Sequence, residues 1–193
     1  DWSSDVCSSD LGTGKTAAFA LPILERIIRS PLHKGPRALV LAPTRELAAQ
    51  IAREFAALAQ CAEVRGVTIY GGVGQWPQVR NLRENPDIIV ACPGRLYDLM
   101  QQGHVNLKHI EMFVLDEADH MFDMGFLPTI KKIIEALPEG RQNLFFSATM
   151  PREVRGLAET MLDNPHVVEI AHRKPVAKIE EVLYPVTTKE RQK

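Results

Sequence analysis

Residues 112–119 read MFVLDEAD, an apolar run that ends abruptly in three carboxylates, Asp116, Glu117 and Asp119. A run without polar alternation is the mark of a strand buried on both faces, and such strands belong to parallel sheets covered by helices. The pattern recurs on either side. RALVLAP (37–43), GVTIY (66–70) and DIIVAC (87–92) precede it; NLFFSAT (143–149), HVVEI (166–170) and EVLYPVT (181–187) follow. Between them the spacing turns helical, over 15–28, 45–60, 75–84, 127–137 and 152–162. Strand runs alternating with helical runs predict an α/β fold, a three-layer parallel sheet with helices on both faces.

In such sheets the working residues lie on loops beyond the carboxyl ends of the strands. The unusual clusters fall at that edge. Asp116 can hold Mg²⁺, and Glu117 beside it can orient or deprotonate a water; the plain alternative is an acidic helix N-terminus stabilised by the dipole. Gly12, Thr13, Gly14, Lys15 and Thr16 read as the back of a phosphate-binding loop, with Lys15 reaching phosphate and the Thr16 hydroxyl on Mg²⁺. The plain alternative there is a glycine turn that caps a helix. Ser147 and Thr149 can bond a carboxylate on a neighbouring strand end, or cap the helix after Pro151. Thr44 reads as an N-cap, with the Arg45 guanidinium beside it. Gly71-Gly72 and Pro93-Gly94-Arg95 are either plain turns or loops that let a phosphodiester strand approach closely. None of these loops carries an aromatic platform, so backbone reading is expected rather than base reading. His120 reads as a surface histidine, Trp76 as packed at a helix start, and Cys61 and Cys92 as small, semi-buried residues.

The remaining composition excludes more than it selects. The 193 residues carry a formal net charge of -1, so no basic tail advertises nucleic acid. Three cysteines without C-x-x-C spacing give neither a zinc site nor a disulfide framework. No apolar run approaches membrane-spanning length. A monomeric, cytoplasmic domain is the default expectation.

In order, GTGKT (12–16), PTRELA (43–48), GG (71–72), PGR (93–95), DEAD (116–119) and SAT (147–149) resemble the motifs of the DEAD-box ATP-dependent RNA helicases. They match the N-terminal RecA-like domain of that family, of bacterial type. VLDEADHMFDMGF (114–126) is similar to the family's continuation past its acidic motif. The resemblance implies a RecA-like P-loop NTPase domain over 12–178. Residues 179–193 would form a last strand and the start of a linker to a second RecA-like domain. It implies ATP and Mg²⁺ as cofactors and RNA as partner. Lys15, Asp116 and Glu117 would serve catalysis, and Asp119, Ser147 and Thr149 would link hydrolysis to strand separation. Pro43, Thr44, Arg45, Gly71, Gly72, Pro93, Gly94 and Arg95 would form the RNA contact.

Two departures stand out. Cys92 occupies the place where the family usually has threonine, and a thiol donates only weakly. Residues 1–11, DWSSDVCSSDL, lack the strand and small residue expected before a phosphate loop, and they back-translate to a string resembling a common sequencing-library adapter. They are therefore expected to be non-native, and are excluded from fold reasoning. The upstream adenine-reading motif and the second domain with its arginine finger are also missing, so the chain alone is expected to be inactive. Two other readings remain: a non-enzymatic RNA- or partner-binding segment, and a DNA-directed relative.

Overall fold

The apolar runs become the strands of one parallel sheet. The computed structural model describes residues 5–8, 14–30 and 35–169. Along the chain these form β1 (Asp5–Ser8), α1 (Lys15–Arg29), β2 (Ala38–Leu41), α2 (Arg45–Leu58), β3 (Gly66–Ile69), α3 (Trp76–Arg83) and β4 (Ile88–Ala91). Then come α4 (Pro93–Gln101), β5 (Met112–Leu115), α5 (Ala118–Asp123), α6 (Leu127–Glu135), β6 (Gln142–Phe146), α7 (Arg152–Met161) and β7 (His166–Glu169). The strand order is β3-β4-β2-β5-β6-β1-β7. The registered pairs are all parallel, for example Val40 with Val90 on one side and Val114 on the other.

Period-two alternation along the strands divides the core into two layers. Ala38, Val40, Ile88, Val90, Met112, Val114 and Phe146 face α1 and α2, where Phe19, Ile23, Ile51 and Phe55 meet them. Leu39, Leu41, Ile89, Phe113, Leu115 and Phe145 face the other way, onto residues of α3, α4, α6 and α7 such as Val79, Leu96, Ile133 and Leu157. The three-layer expectation holds in that form.

Two expectations need correction. Asp5–Ser8 forms a strand between β6 and β7, with Val6 opposite Phe145 and Val167. The segment set aside as non-native therefore holds the sheet's strand between β6 and β7, before the phosphate loop in the chain. A slot between two parallel neighbours is filled by backbone hydrogen bonds, which no apolar pattern in the sequence announces. Second, Pro93-Gly94-Arg95 is the first turn of α4 and no plain turn, with Pro93 at the position where a missing N–H costs nothing. The expected strand at 181–187 lies outside the described residues.

The C-terminus of α1 is held from the sheet. Arg37, only 3% exposed, places one guanidinium nitrogen on the carbonyls of Ile27 and Ser30. Its Nε and Nη2 grip Glu111 at 2.8 and 2.9 Å. The bidentate bond holds the Glu111 carboxyl below its ordinary pKa. A depressed carboxylate pKa stabilises above the unfolded value and loses that stabilisation as pH falls through the folded one. Glu111→Gln is expected to lower the unfolding free energy by about 1.5 kcal/mol at pH 7, the low end for bonds to charged groups because Glu111 is half-exposed. Urea melts of the two proteins should converge as pH falls through the lowered pKa of the folded carboxyl. Equal stability at pH 7 would refute this assignment.

Candidate active site

The phosphate side begins at Gly14. Its φ of 77° is the left-handed conformation that suits glycine, and it turns the chain directly into α1. Lys15 and Thr16 form the first turn of that helix, whose amide end favours an anion. Gly12 and Thr13 lie outside the described residues.

Two strands away, Asp116 follows β5 at 3% exposure. One carboxylate oxygen accepts the Glu117 N–H at 3.0 Å. Burial pushes its pKa up from 3.8 to about 6, against the opposing attraction of Lys15. Lys15 is the cation that opposes the shift, in keeping with two motifs placed at the same edge of one sheet. A buried carboxylate held at such cost at one strand end, with the Thr16 hydroxyl in the first turn of α1 at the same sheet edge, offers the hard oxygen donors that suit Mg²⁺. Asp116 and Thr16 would hold that ion, which would supply charge neutralisation to phosphate oxygens. Among the described residues no cluster of three His, Cys, Asp or Glu side chains forms a metal cage. Magnesium, which binds through few protein oxygens, needs none.

Glu117 caps α5 in a left-handed conformation, φ 52°, ψ 54°. That conformation is uncommon for a residue with a side chain, and its cost persists only where the surroundings enforce it. The turn leaves the carboxylate partly exposed beside Asp116, with Oε2 3.3 Å from His120 Nδ1. His120 is a surface side chain, as its sequence context suggested.

The third acid is bonded across the sheet. Asp119 Oδ2 accepts from both the Thr149 N–H and the Thr149 hydroxyl, each at 2.9 Å. The Ser147 hydroxyl accepts the Asp119 N–H at 3.2 Å and donates to the Thr149 carbonyl at 2.7 Å. Burial raises the Asp119 pKa, but the bonds from Thr149 and Ser147 outweigh it and hold the carboxyl below its usual value. The expected hydroxyl–carboxylate link is therefore present. The capping alternative is not, because α7 has Pro151 at its N-cap and no side-chain capping bond. Ser147 serves the start of α5 instead.

The remaining loops line the same edge. Pro43 is buried, and the Thr44 hydroxyl caps α2 by accepting the Leu47 N–H. Arg45 is exposed, paired with Glu46 at 2.6 Å, and reaches toward Gly72, which sits at φ 78°. A cleft of about 430 Å³ lies between Arg45, Arg53, Tyr70 and Val73. Arg95 donates to the Val73 carbonyl at 3.1 Å, so it ties α4 to the loop that follows β3. Gly94 packs close to the Phe126 ring. Cys92, at the N-cap of α4, makes no capping bond, and burial pushes its thiol up to about 11. It is an inert neutral group there. Cys61, by contrast, is exposed.

Sequence reasoning missed Gln78. It is buried, and it holds the glycine loop at both ends of Tyr70: its Oε1 accepts the Tyr70 N–H and its Nε2 donates to the Tyr70 carbonyl, each at 3.1 Å. A glutamine on the buried face of an otherwise apolar helical pattern was the available signal. Trp76 was misplaced: it is 67% exposed instead of packed.

Comparison with known proteins bears on this geometry. The family model described as "DEAD/DEAH box helicase" matches residues 4–157. The chain is 45% identical over 165 residues to "DEAD-box ATP-dependent RNA helicase 20" of Oryza sativa, covering 84% of this chain and 33% of that protein. It is 47% identical over 162 residues to "ATP-dependent RNA helicase DBP2" of Lodderomyces elongisporus, covering 82% and 29%. A DEAD box protein from Methanococcus jannaschii superposes with a TM-score of 0.81 at 39% identity, over 86% of this chain and 45% of that one. The yeast DEAD-box splicing factor Prp28 superposes with a TM-score of 0.84 at 33% identity, over 89% and 42%. The chain thus spans about a third of the length of these curated relatives. They are plant and fungal, and lend no support to a bacterial type.

Proposed function

The chain belongs to the DEAD/DEAH box helicase family, and from that premise we propose that it is the ATP-binding half of an ATP-dependent RNA helicase. One observation carries the reading. Asp119 stands three residues from Asp116 and is bonded to Ser147 and Thr149 at the end of the adjacent strand. A change at the phosphate site thereby reaches a second strand end through a hydrogen-bonded carboxylate. Lys15, Thr16, Asp116 and Glu117 handle phosphate, Mg²⁺ and the attacking water. Thr44, Arg45, Gly72, Gly94 and Arg95 face the RNA backbone, which positions the strand without reading its sequence.

The test uses the complete protein, with RNA-stimulated ATP hydrolysis and opening of a short RNA duplex measured side by side. The double variant Ser147→Ala, Thr149→Val is expected to slow duplex opening by about 10- to 100-fold, the size of one or two hydrogen bonds to a charged group. Hydrolysis should fall far less. A parallel loss of both activities would remove the coupling role, and opening of DNA but not RNA would favour the DNA-directed alternative. This chain alone is expected to turn over ATP little or not at all, since an arginine finger is worth about 10³–10⁵ in rate in related NTPases. Vigorous RNA-stimulated turnover by the chain alone would overturn that. A monomeric, cytoplasmic protein belongs to the same reading. So does the adapter origin of residues 1–11, which a read of the native locus across Leu11–Gly12 decides.

A further inference from the structure

We propose that Trp76 is a base-stacking platform for single-stranded RNA at the outer end of the phosphate-contacting edge. The inference rests on the RNA reading of that edge and adds a ligand contact that the glycine loops and arginines do not supply.

Trp76 opens α3 directly after the loop that follows β3, the outermost strand of the sheet. Buried tryptophans stabilise a fold by removing a large apolar ring from water, yet this ring is 67% exposed. One side approaches the His104 ring, with centroids 6.4 Å apart at 60°. Two thirds of the side chain remains exposed to solvent, and that surface is what a base would stack on.

The ring is held in place by the chain around it. Gln75 and Gln102 exchange side-chain amide bonds at 3.0 and 3.4 Å, fixing the start of α3 to the end of α4. Gln78, one turn further along, grips Tyr70 and the Gly74 carbonyl. An aromatic ring carried on a clamped helix start loses little freedom on stacking a base.

Its position also suits RNA over a protein partner. Trp76 lies four positions beyond Gly72, a span of at most about 14 Å even if fully extended, so ring and phosphate loop reach the same strand. Arg45 lies against Gly72, and Arg95 is bonded to Val73. Val73 is the exposed apolar neighbour, at 44%. One indole and one valine among arginines and amides are too small for a stable protein interface of about 800 Å² per partner. They match the face of a single base beside an anionic backbone.

The experiment measures binding of a fluorescently labelled ten-nucleotide RNA to the complete protein with a non-hydrolysable ATP analogue. A set of matched strands carries one abasic nucleotide stepped through the sequence. Trp76→Ala is expected to weaken the intact strand by about 5- to 150-fold, the worth of one base–aromatic stack. Trp76→Phe should retain most of the affinity. At one abasic position wild type and Trp76→Ala should bind alike. Binding by Trp76→Ala within twofold of wild type, while Arg45→Ala is weakened, overturns the stacking role alone and leaves Trp76 to a protein partner. A loss that is the same for every abasic strand overturns it too, since the ring would then act through the backbone. Failure of the wild-type protein to bind any strand overturns both this inference and the RNA reading beneath it.

Discussion

Glu117→Gln in the complete protein is expected to reduce RNA-stimulated ATP hydrolysis by about 10²–10⁴-fold, the usual contribution of a positioned general base. Nucleotide affinity should change little. The substitution preserves shape and the ability to contact His120, but removes the basic oxygen. The fold places Glu117 for this task at a cost: a left-handed backbone at a residue with a side chain, directly after the buried Asp116. Such a turn separates the two neighbouring carboxylates. Asp116 points inward at 3% exposure, while Glu117 stays accessible to a water. The measurement is kcat against the dissociation constant of a fluorescent ATP analogue. A kcat within threefold of wild type would assign base catalysis elsewhere. A matching loss of nucleotide affinity would make Glu117 a binding group and not a base.

How much of this was readable depends on what kind of interaction positions each part. The strands announced themselves because burial on two faces leaves no room for polar residues, as in Ala38–Leu41 and Met112–Leu115. The carboxyl-edge loops were readable because several glycine-, proline- and carboxylate-bearing clusters fall at one edge of one sheet, where each alone would read as a turn or a cap. The Asp119–Ser147–Thr149 link was anticipated, because hydroxyls at one strand end need partners on the next. Long-range polar bonds were not. Nothing in the sequence connects Arg37 to Glu111, separated by 74 residues, or Arg26 to Glu111, separated by 85. Such pairs are created by strand order, and a local pattern cannot encode strand order. The strand at Asp5–Ser8 was passed over for another reason, because residues 1–11 were set aside on their adapter-like back-translation; its place is the gap between β6 and β7. The error at Trp76 was of another kind. Aromatic residues at helix starts are usually packed, and a binding surface is where that expectation fails.

Asp116→Asn is expected to make the protein more stable while removing its Mg²⁺-dependent activity. The reason is the carboxyl's raised pKa, about 6 in the fold against 3.8. Between those values the folded protein binds a proton that the unfolded chain has already released. Stability therefore falls as pH rises from about 4 to about 6, and the whole penalty is present at pH 7. A shift of roughly two units corresponds to about 3 kcal/mol. Asparagine keeps an oxygen for the Glu117 N–H but adds a buried amide donor, which returns part of the gain. The net increase should be about 1–3 kcal/mol at pH 7, or roughly 2–10 °C in Tm for a domain of this size. At pH 4 the two proteins should melt together. Added Mg²⁺ with ATP should raise the Tm of the wild type more than that of the variant, because only the ionised carboxylate repays its burial through a cation. A variant less stable than wild type at pH 7 would mean that the carboxylate is already compensated within the protein, by Lys15 above all. In the expected outcome Asp116 is retained at the expense of stability, so its placement answers to the phosphate site and not to the core.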